Sequence, residues 1–218
     1  MTMPTILITG FGRFPGSPVN PSGPVATRLA RKRRPALADM RRIAHVFATR
    51  YDTVERELKE LIAREKPDVV MMFGVHGRSR EFRIEERARN RIALLPDAGR
   101  RRPAAQTIAH GSAAIRNALP LSRLLAAART AGVAAVRSRN AGSYLCNYAY
   151  WQGLEAARQP GGPQLVIFVH IPPVGVPRPA GRSGPARRRL PGIPALVRAG
   201  EAILRSLTSE ARGGARSA

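Results

Sequence analysis

Short runs of consecutive apolar residues punctuate the chain, and they constrain its fold more than any other feature. Val69-Val70-Met71-Met72-Phe73 and Leu165-Val166-Ile167-Phe168-Val169 are uninterrupted, and Thr5-Ile6-Leu7-Ile8-Thr9 is nearly so. A strand that is apolar on both sides must be covered on both faces, as in a parallel sheet between two helical layers. Residues 42–48 and 133–137 read as further strands. Segments of helical period lie between them. Over 51–65, Val54, Leu58, Leu61 and Ile62 share a face, and Asp52 or Thr53 stands where a cap belongs. Over 120–131, Leu121, Leu124 and Leu125 point inward, and Gly132 stops the helix. Further helices are expected from near Pro21-Ser22 to Arg31, from near Cys146 to Arg158, and over 194–207. The alternation predicts an α/β fold: a single-domain α/β/α sandwich, its twisted sheet mostly parallel, with helices on both faces. The domain is expected to span 1–208. Within it, 75–112 reads as a hairpin with long loops and 172–192 as an exposed Pro/Gly/Arg-rich loop. Residues 209–218 read as a disordered tail.

Composition narrows the function classes. There is one cysteine, Cys146, so no disulfide can form within the chain, and a lone thiol suits a reducing cytoplasm. No apolar run approaches the ~18 residues of a membrane span. No positive charge precedes Ile6-Leu7-Ile8, so the N-terminus does not read as a signal peptide. A net charge of +23 raises nucleic acid as a partner. Lysine, however, occurs only at 32, 59 and 66, and the remaining basic residues are arginines spread through a chain heavy in Ala, Gly and Pro. That mixture reads as a chain-wide bias that leaves a solvated basic surface, so no dedicated nucleic-acid partner is expected. No His, Cys, Asp or Glu spacing resembles a metal site, and one cysteine excludes a Cys-rich zinc centre.

In parallel sheets ligands bind beyond the carboxyl ends of the strands, which directs attention to Gly10, Gly74 and His170. Cys146 follows the turn Asn140–Leu145 into a helix. A thiol there meets the positive end of the helix dipole, which favours thiolate, although a free cysteine also packs as a small hydrophobe. His170 ends an apolar strand, where an imidazole can serve a thiol as base or simply satisfy the strand end. A carboxylate could orient that imidazole, but spacing alone does not separate Glu81, Glu85 and Glu86. The glycines at 10, 12 and 16 match neither a Walker A loop nor G-x-G-x-x-G. Phe11 and Phe14, in a chain with few aromatics, point instead to a small apolar pocket.

Four segments together resemble the pyroglutamyl peptidase I family, peptidase C15. They are Thr9-Gly10-Phe11-Gly12-Arg13-Phe14-Pro15-Gly16 with Asn20-Pro21-Ser22, the block Gly74–Asn90, Ala141-Gly142-Ser143-Tyr144-Leu145-Cys146-Asn147-Tyr148, and Phe168-Val169-His170-Ile171-Pro172. They occur in the family's order and span about residues 5 to 207; the cysteine block is the most specific. The resemblance implies a cysteine peptidase that removes N-terminal pyroglutamate without cofactor or metal, and a cytoplasmic homo-oligomer acting on N-terminally pyroglutamylated peptides. It assigns the nucleophile to Cys146 and the histidine to His170. Alignment of Gly74, Gly77, Ala88 and Asn90 assigns the carboxylate to Glu85. It also implies that Phe11, Phe14 and Tyr144 wall the lactam ring beside Leu145, with backbone groups at Gly74 and Val75 bonding the lactam.

The chain departs from the family pattern at several points. Leu94-Leu95-Pro96-Asp97 offers leucine where the family has arginine, and Val75 and His76 replace commoner small or amide residues. Two other readings predict different outcomes. A related amidohydrolase with a changed substrate predicts alkylation at Cys146 without cleavage of pyroglutamyl amides. A non-catalytic basic binding protein predicts salt-sensitive nucleic-acid affinity and no turnover.

Overall fold

A computed structural model describes residues 3–14, 19–174 and 190–214. In chain order the elements are β1 (Thr5–Phe11), α1 (Ser22–Arg31), β2 (Arg41–Phe47), α2 (Tyr51–Glu65), β3 (Val69–Val75), β4 (Phe82–Glu85), β5 (Arg87–Arg89), β6 (Ala114–Arg116), α3 (Leu121–Thr130), β7 (Ala135–Ser138), α4 (Leu145–Ala156), β8 (Leu165–Ile171) and α5 (Ile193–Gly214). Six strands form one sheet in the order β2-β1-β3-β8-β4-β7. The first four are parallel. β4 runs antiparallel to β8 and parallel to β7, which reverses the direction of that edge.

The apolar runs are strands because each side of the sheet takes alternate residues. Ile6, Ile8, Val69, Met71, Phe73, Ile167, Val169 and Ile171 pack on one face with side chains from α1, α3 and α5. Leu7, Val70, Met72, Val166 and Phe168 pack on the other with side chains from α2 and α4. The sandwich and the mostly parallel sheet are therefore as the sequence predicts. α4 is the element apolar nearly all round, with buried residues from Leu145 through Leu154, because the sheet lies on one side and β5 and β6 cover the other.

The structure corrects four expectations. The segment 75–112 is not a hairpin: β4 enters the main sheet between β8 and β7, and β5 pairs with β6, whose residues lie beyond it. These strands are three or four residues long, and β4 and β5 carry Arg or Glu at alternate positions, so their pairing comes from distant partners rather than a local apolar run. Neither Asp52 nor Thr53 is the cap of α2. Arg50 holds that position, and the Tyr51 N–H donates to the Asp97 carboxylate at 3.2 Å. The strand carrying His170 runs on to Ile171. The last helix continues to Gly214, so residues 209–214, expected to be a disordered tail, are helical. Of the loop expected over 172–192, residues 175–189 lie outside the described residues.

The opening motif has a structural role. The Asn20 amide donates to the Gly12 carbonyl, its oxygen accepts from the Ser22 N–H, and the Ser22 hydroxyl accepts from the Phe11 N–H at 3.0 Å. This clasp lays the start of α1 against Gly10, where an added Cβ would stand 2.4 Å from the Ser22 carbonyl oxygen. Only glycine permits that approach.

Candidate active site

Strand register brings the site together. Gly74 of β3 lies beside His170 of β8, and Arg83 of β4 lies on its other side. Side chains alternate across a sheet, so His170 shares the face of Phe168 and Met72, the side that α4 covers. Glu85 is two residues beyond Arg83 and on the same face, diagonal to His170, within reach of a long side chain. Its Oε1 lies 2.9 Å from His170 Nδ1. Both groups are enclosed, Glu85 fully and His170 with 4% exposure. α4 begins at Leu145, so Cys146 lies in its first turn. Its sulfur occupies the space a side chain at position 74 would fill, since a Cβ there would stand 2.8 Å from Cys146 Sγ.

The electrostatics follow from this arrangement. Burial opposes charge on His170, but Cys146 and Glu85 together outweigh it and raise the pKa from 6.5 to about 9. The imidazole therefore favours its charged form more than an isolated histidine does, because it lies beside the sulfur and the carboxylate. The first hydrogen bond of α4 runs from the Tyr148 N–H to the Tyr144 carbonyl. The N–H groups of residues 145–147 therefore precede the helix's own ladder and are available to an anion beside the sulfur. Among the described residues no three His, Cys, Asp or Glu side chains stand where they could share a metal ion.

The three glutamates that spacing left equivalent are distinct here. Glu81 is partly exposed, and its N–H and carbonyl both engage the Ser79 hydroxyl. Glu86 pairs with Arg116 and Arg139. Only Glu85 faces the histidine, and its backbone carbonyl accepts bonds from the Asn117 amide at 2.8 Å and the Tyr150 hydroxyl at 2.9 Å. Asn147, one residue past the cysteine, donates to the Arg89 and Arg91 carbonyls and accepts from the Arg89 N–H. Those bonds tie β5 to α4. Sequence reasoning assigned no role to Asn117, Asn147 or Tyr150. Asn147 lies inside the cysteine block and was open to notice; Asn117 had no local signal.

The residues expected to contact the lactam are spread over several settings. Phe14 packs on Tyr144 with ring centres 6.1 Å apart, and Tyr144 in turn meets Tyr51 edge-on at 5.7 Å. Phe11 is buried against Phe47, and Leu145 is buried in the same apolar layer. Gly74 stands against Cys146, and Val75 is half-buried at the end of β3. His76 packs its ring edge-on to His170 at 5.8 Å; burial, His170 and Arg83 hold its pKa below the ordinary value. A cavity of about 300 Å³ adjoins the tyrosines, lined in part by Tyr51, Ile92, Asp97 and Tyr148.

The tight fit at Gly74 leads to an expected result. In Gly74→Ala the new methyl would meet both Cys146 Sγ and Phe168 Cζ, the latter at 2.7 Å. Overpacking of this kind costs about 1–3 kcal/mol of stability. Displacing the sulfur by about 1 Å should lower any turnover that depends on it by roughly a hundredfold. Urea unfolding and steady-state kinetics on the same preparation check both effects.

Comparison with known proteins follows the same lines. A family model described as pyroglutamyl peptidase, Peptidase C15, matches residues 4–182. Pyrrolidone-carboxylate peptidase 1 of Ralstonia nicotianae is 36% identical over 174 residues, covering 78% of this chain and 79% of its own. The pyrrolidone-carboxylate peptidase of Clavibacter michiganensis is 33% identical over 172 residues, with 78% and 79% covered. Among solved structures, a mutant pyrrolidone carboxyl peptidase from Pyrococcus furiosus superposes with a TM-score of 0.82 at 22% identity, over 95% of this chain and 99% of its own. Pyroglutamyl peptidase I of Bacillus amyloliquefaciens gives 0.76 at 23% identity, over 92% and 94%. At those identities the structural likeness speaks to the fold.

Proposed function

The chain belongs to the pyroglutamyl peptidase family, peptidase C15, and from that premise we propose that Cys146, His170 and Glu85 carry its chemistry. It is a pyrrolidone-carboxylate peptidase, a cysteine hydrolase. The observation that carries the residue assignment is the enclosed His170–Glu85 pair at 2.9 Å with the Cys146 sulfur against Gly74.

The reaction runs in two halves. The Cys146 sulfur attacks the pyroglutamyl carbonyl carbon, and the oxygen takes up negative charge. N–H groups at the start of α4 stabilise that oxyanion. His170, held charged, gives a proton to the leaving amine, and the C–N bond breaks to leave a thioester. The neutral imidazole then takes a proton from water as its oxygen attacks the thioester carbonyl, and collapse releases pyroglutamate and returns the sulfur as thiolate beside the recharged imidazole. Glu85 accepts the hydrogen bond of Nδ1, so Nε2 faces the sulfur in the correct tautomer. Phe14 and Tyr144 wall the lactam, with Gly74 and Val75 contributing backbone groups. Phe11 and Leu145 lie in the apolar layer behind.

The substrates are N-terminally pyroglutamylated peptides. Among the described residues no helix is long and apolar enough to cross a membrane. Homo-oligomeric assembly and a cytoplasmic location belong to the same proposal; light scattering of the purified chain tests the first. The activity itself is tested by release of a fluorophore from a pyroglutamyl amide. Steady turnover, undiminished by chelators, is expected. Absence of turnover, with Cys146 still open to alkylation, would overturn the substrate assignment.

A further inference from the structure

Three tyrosines pack together beside the start of α4, the helix that carries Cys146, and two of their hydroxyls are occupied. The Tyr144 hydroxyl donates to the Pro96 carbonyl at 2.9 Å, and the Tyr148 hydroxyl donates to the Glu55 carboxylate at 3.0 Å. Tyr51 lies between them, edge-on to Tyr144 at 5.7 Å and to Tyr148 at 5.3 Å. Its hydroxyl is enclosed and has no hydrogen-bond partner among the described residues. A buried hydroxyl without a partner loses its bonds to water and gains nothing in return, so its presence calls for a reason.

The backbone places this group deliberately. Tyr51 is the first residue of α2, and its N–H is held by Asp97 from the same segment whose Pro96 carbonyl holds Tyr144. Tyr144 packs on Phe14 and immediately precedes α4, the helix that carries Cys146. The unused hydroxyl thus sits in an aromatic cluster continuous with the nucleophile. Burial, Tyr144, Asp97, Tyr148 and Cys146 all push its pKa upward, so it remains a neutral phenol able to donate.

We propose that Tyr51 is a specificity-determining residue whose hydroxyl donates to the ring carbonyl of the bound lactam. The inference rests on the pyroglutamyl reading of the site and adds a contact that distinguishes a lactam from a saturated proline ring. Val75 ends β3 with an apolar side chain, which leaves only its backbone groups for lactam recognition. Tyr51, packed edge-on against the ring of Tyr144, brings a phenol from α2 next to that wall. A site with such a buried donor rejects a ring that cannot satisfy it.

Tyr51→Phe removes the hydroxyl and keeps the ring packing. In this variant kcat/KM for a pyroglutamyl amide should fall about tenfold, the loss of one net hydrogen bond. Affinity for 2-pyrrolidone, followed by NMR titration, should weaken to a similar degree. The thermal midpoint of the free protein should stay level or rise, because the variant loses only an unsatisfied polar atom. Retention of both kcat/KM and lactam affinity within twofold would overturn the proposal. So would a fall in both with a lowered thermal midpoint, which marks a packing role. Wild-type protein without turnover that still binds 2-pyrrolidone would defeat the catalytic reading while leaving the Tyr51 contact testable through binding.

Discussion

Cys146→Ala should leave the fold intact and abolish cleavage of pyroglutamyl amides, lowering kcat by at least roughly four orders of magnitude. The size follows from the role assigned: without sulfur no thioester forms, and what remains is water attack aided by the oxyanion donors. The fold should tolerate the change because the side chain is small and only partly buried. The substitution also has a consequence that a merely structural cysteine would not produce. Cys146 leads the influences that raise the His170 pKa against burial. Removing it should move the histidine's titration toward neutrality, which NMR of the ring protons would follow. A variant that still turns over substrate, or whose His170 titrates unchanged, would remove Cys146 from the role of nucleophile.

That prediction draws on a residue legible in the sequence, and the reason is local. Cys146 follows a turn into a helix, and both features are encoded within a dozen residues. The strands were legible for a similar reason, since Val69–Phe73 and Leu165–Val169 are apolar without interruption and sit at the centre of the sheet. β4 was not. Its sequence Phe82-Arg83-Ile84-Glu85 alternates apolar and charged residues, and its place between β8 and β7 depends on partners more than fifty residues away. The choice of Glu85 over Glu81 and Glu86 depended on that strand. Only its register sets which glutamate shares a face with His170, so the resemblance could name the residue while the residue's own surroundings could not. Tyr51 was hidden differently. It opened a helix already assigned, and nothing in its neighbours shows that its hydroxyl lacks a partner while those of Tyr144 and Tyr148 have one.

The pair that strand register assembles makes the second strong test. Glu85→Gln keeps the shape of the carboxylate and removes its charge. In the parent, the folded pKa of His170 stands at about 9, above the ordinary 6.5. A group with a raised folded pKa contributes stability that is fully present below its unfolded value and is lost as pH rises through the folded one. For His170 that window lies between about 6.5 and 9. Neutralising Glu85 lowers the folded pKa, so the window narrows from its alkaline end and the loss of stability should be complete at lower pH. Activity should follow the same direction, because His170 must be protonated to release the amine, and the alkaline limb of kcat/KM should move down with it. The amide also no longer enforces the tautomer that presents Nε2 to sulfur, so kcat should fall by roughly 10²–10⁴-fold. Glu86→Gln is the control: its carboxylate pairs with Arg116 and Arg139 at the sheet edge, so it should alter neither kcat nor the pH limb. If Glu85→Gln kept kcat within tenfold and left the alkaline limb in place, the carboxylate would be a buried structural partner of the histidine and no part of the reaction. The opposite pattern, a displaced limb in Glu85→Gln and an unmoved one in Glu86→Gln, requires that the charge act through His170 on the bond being broken.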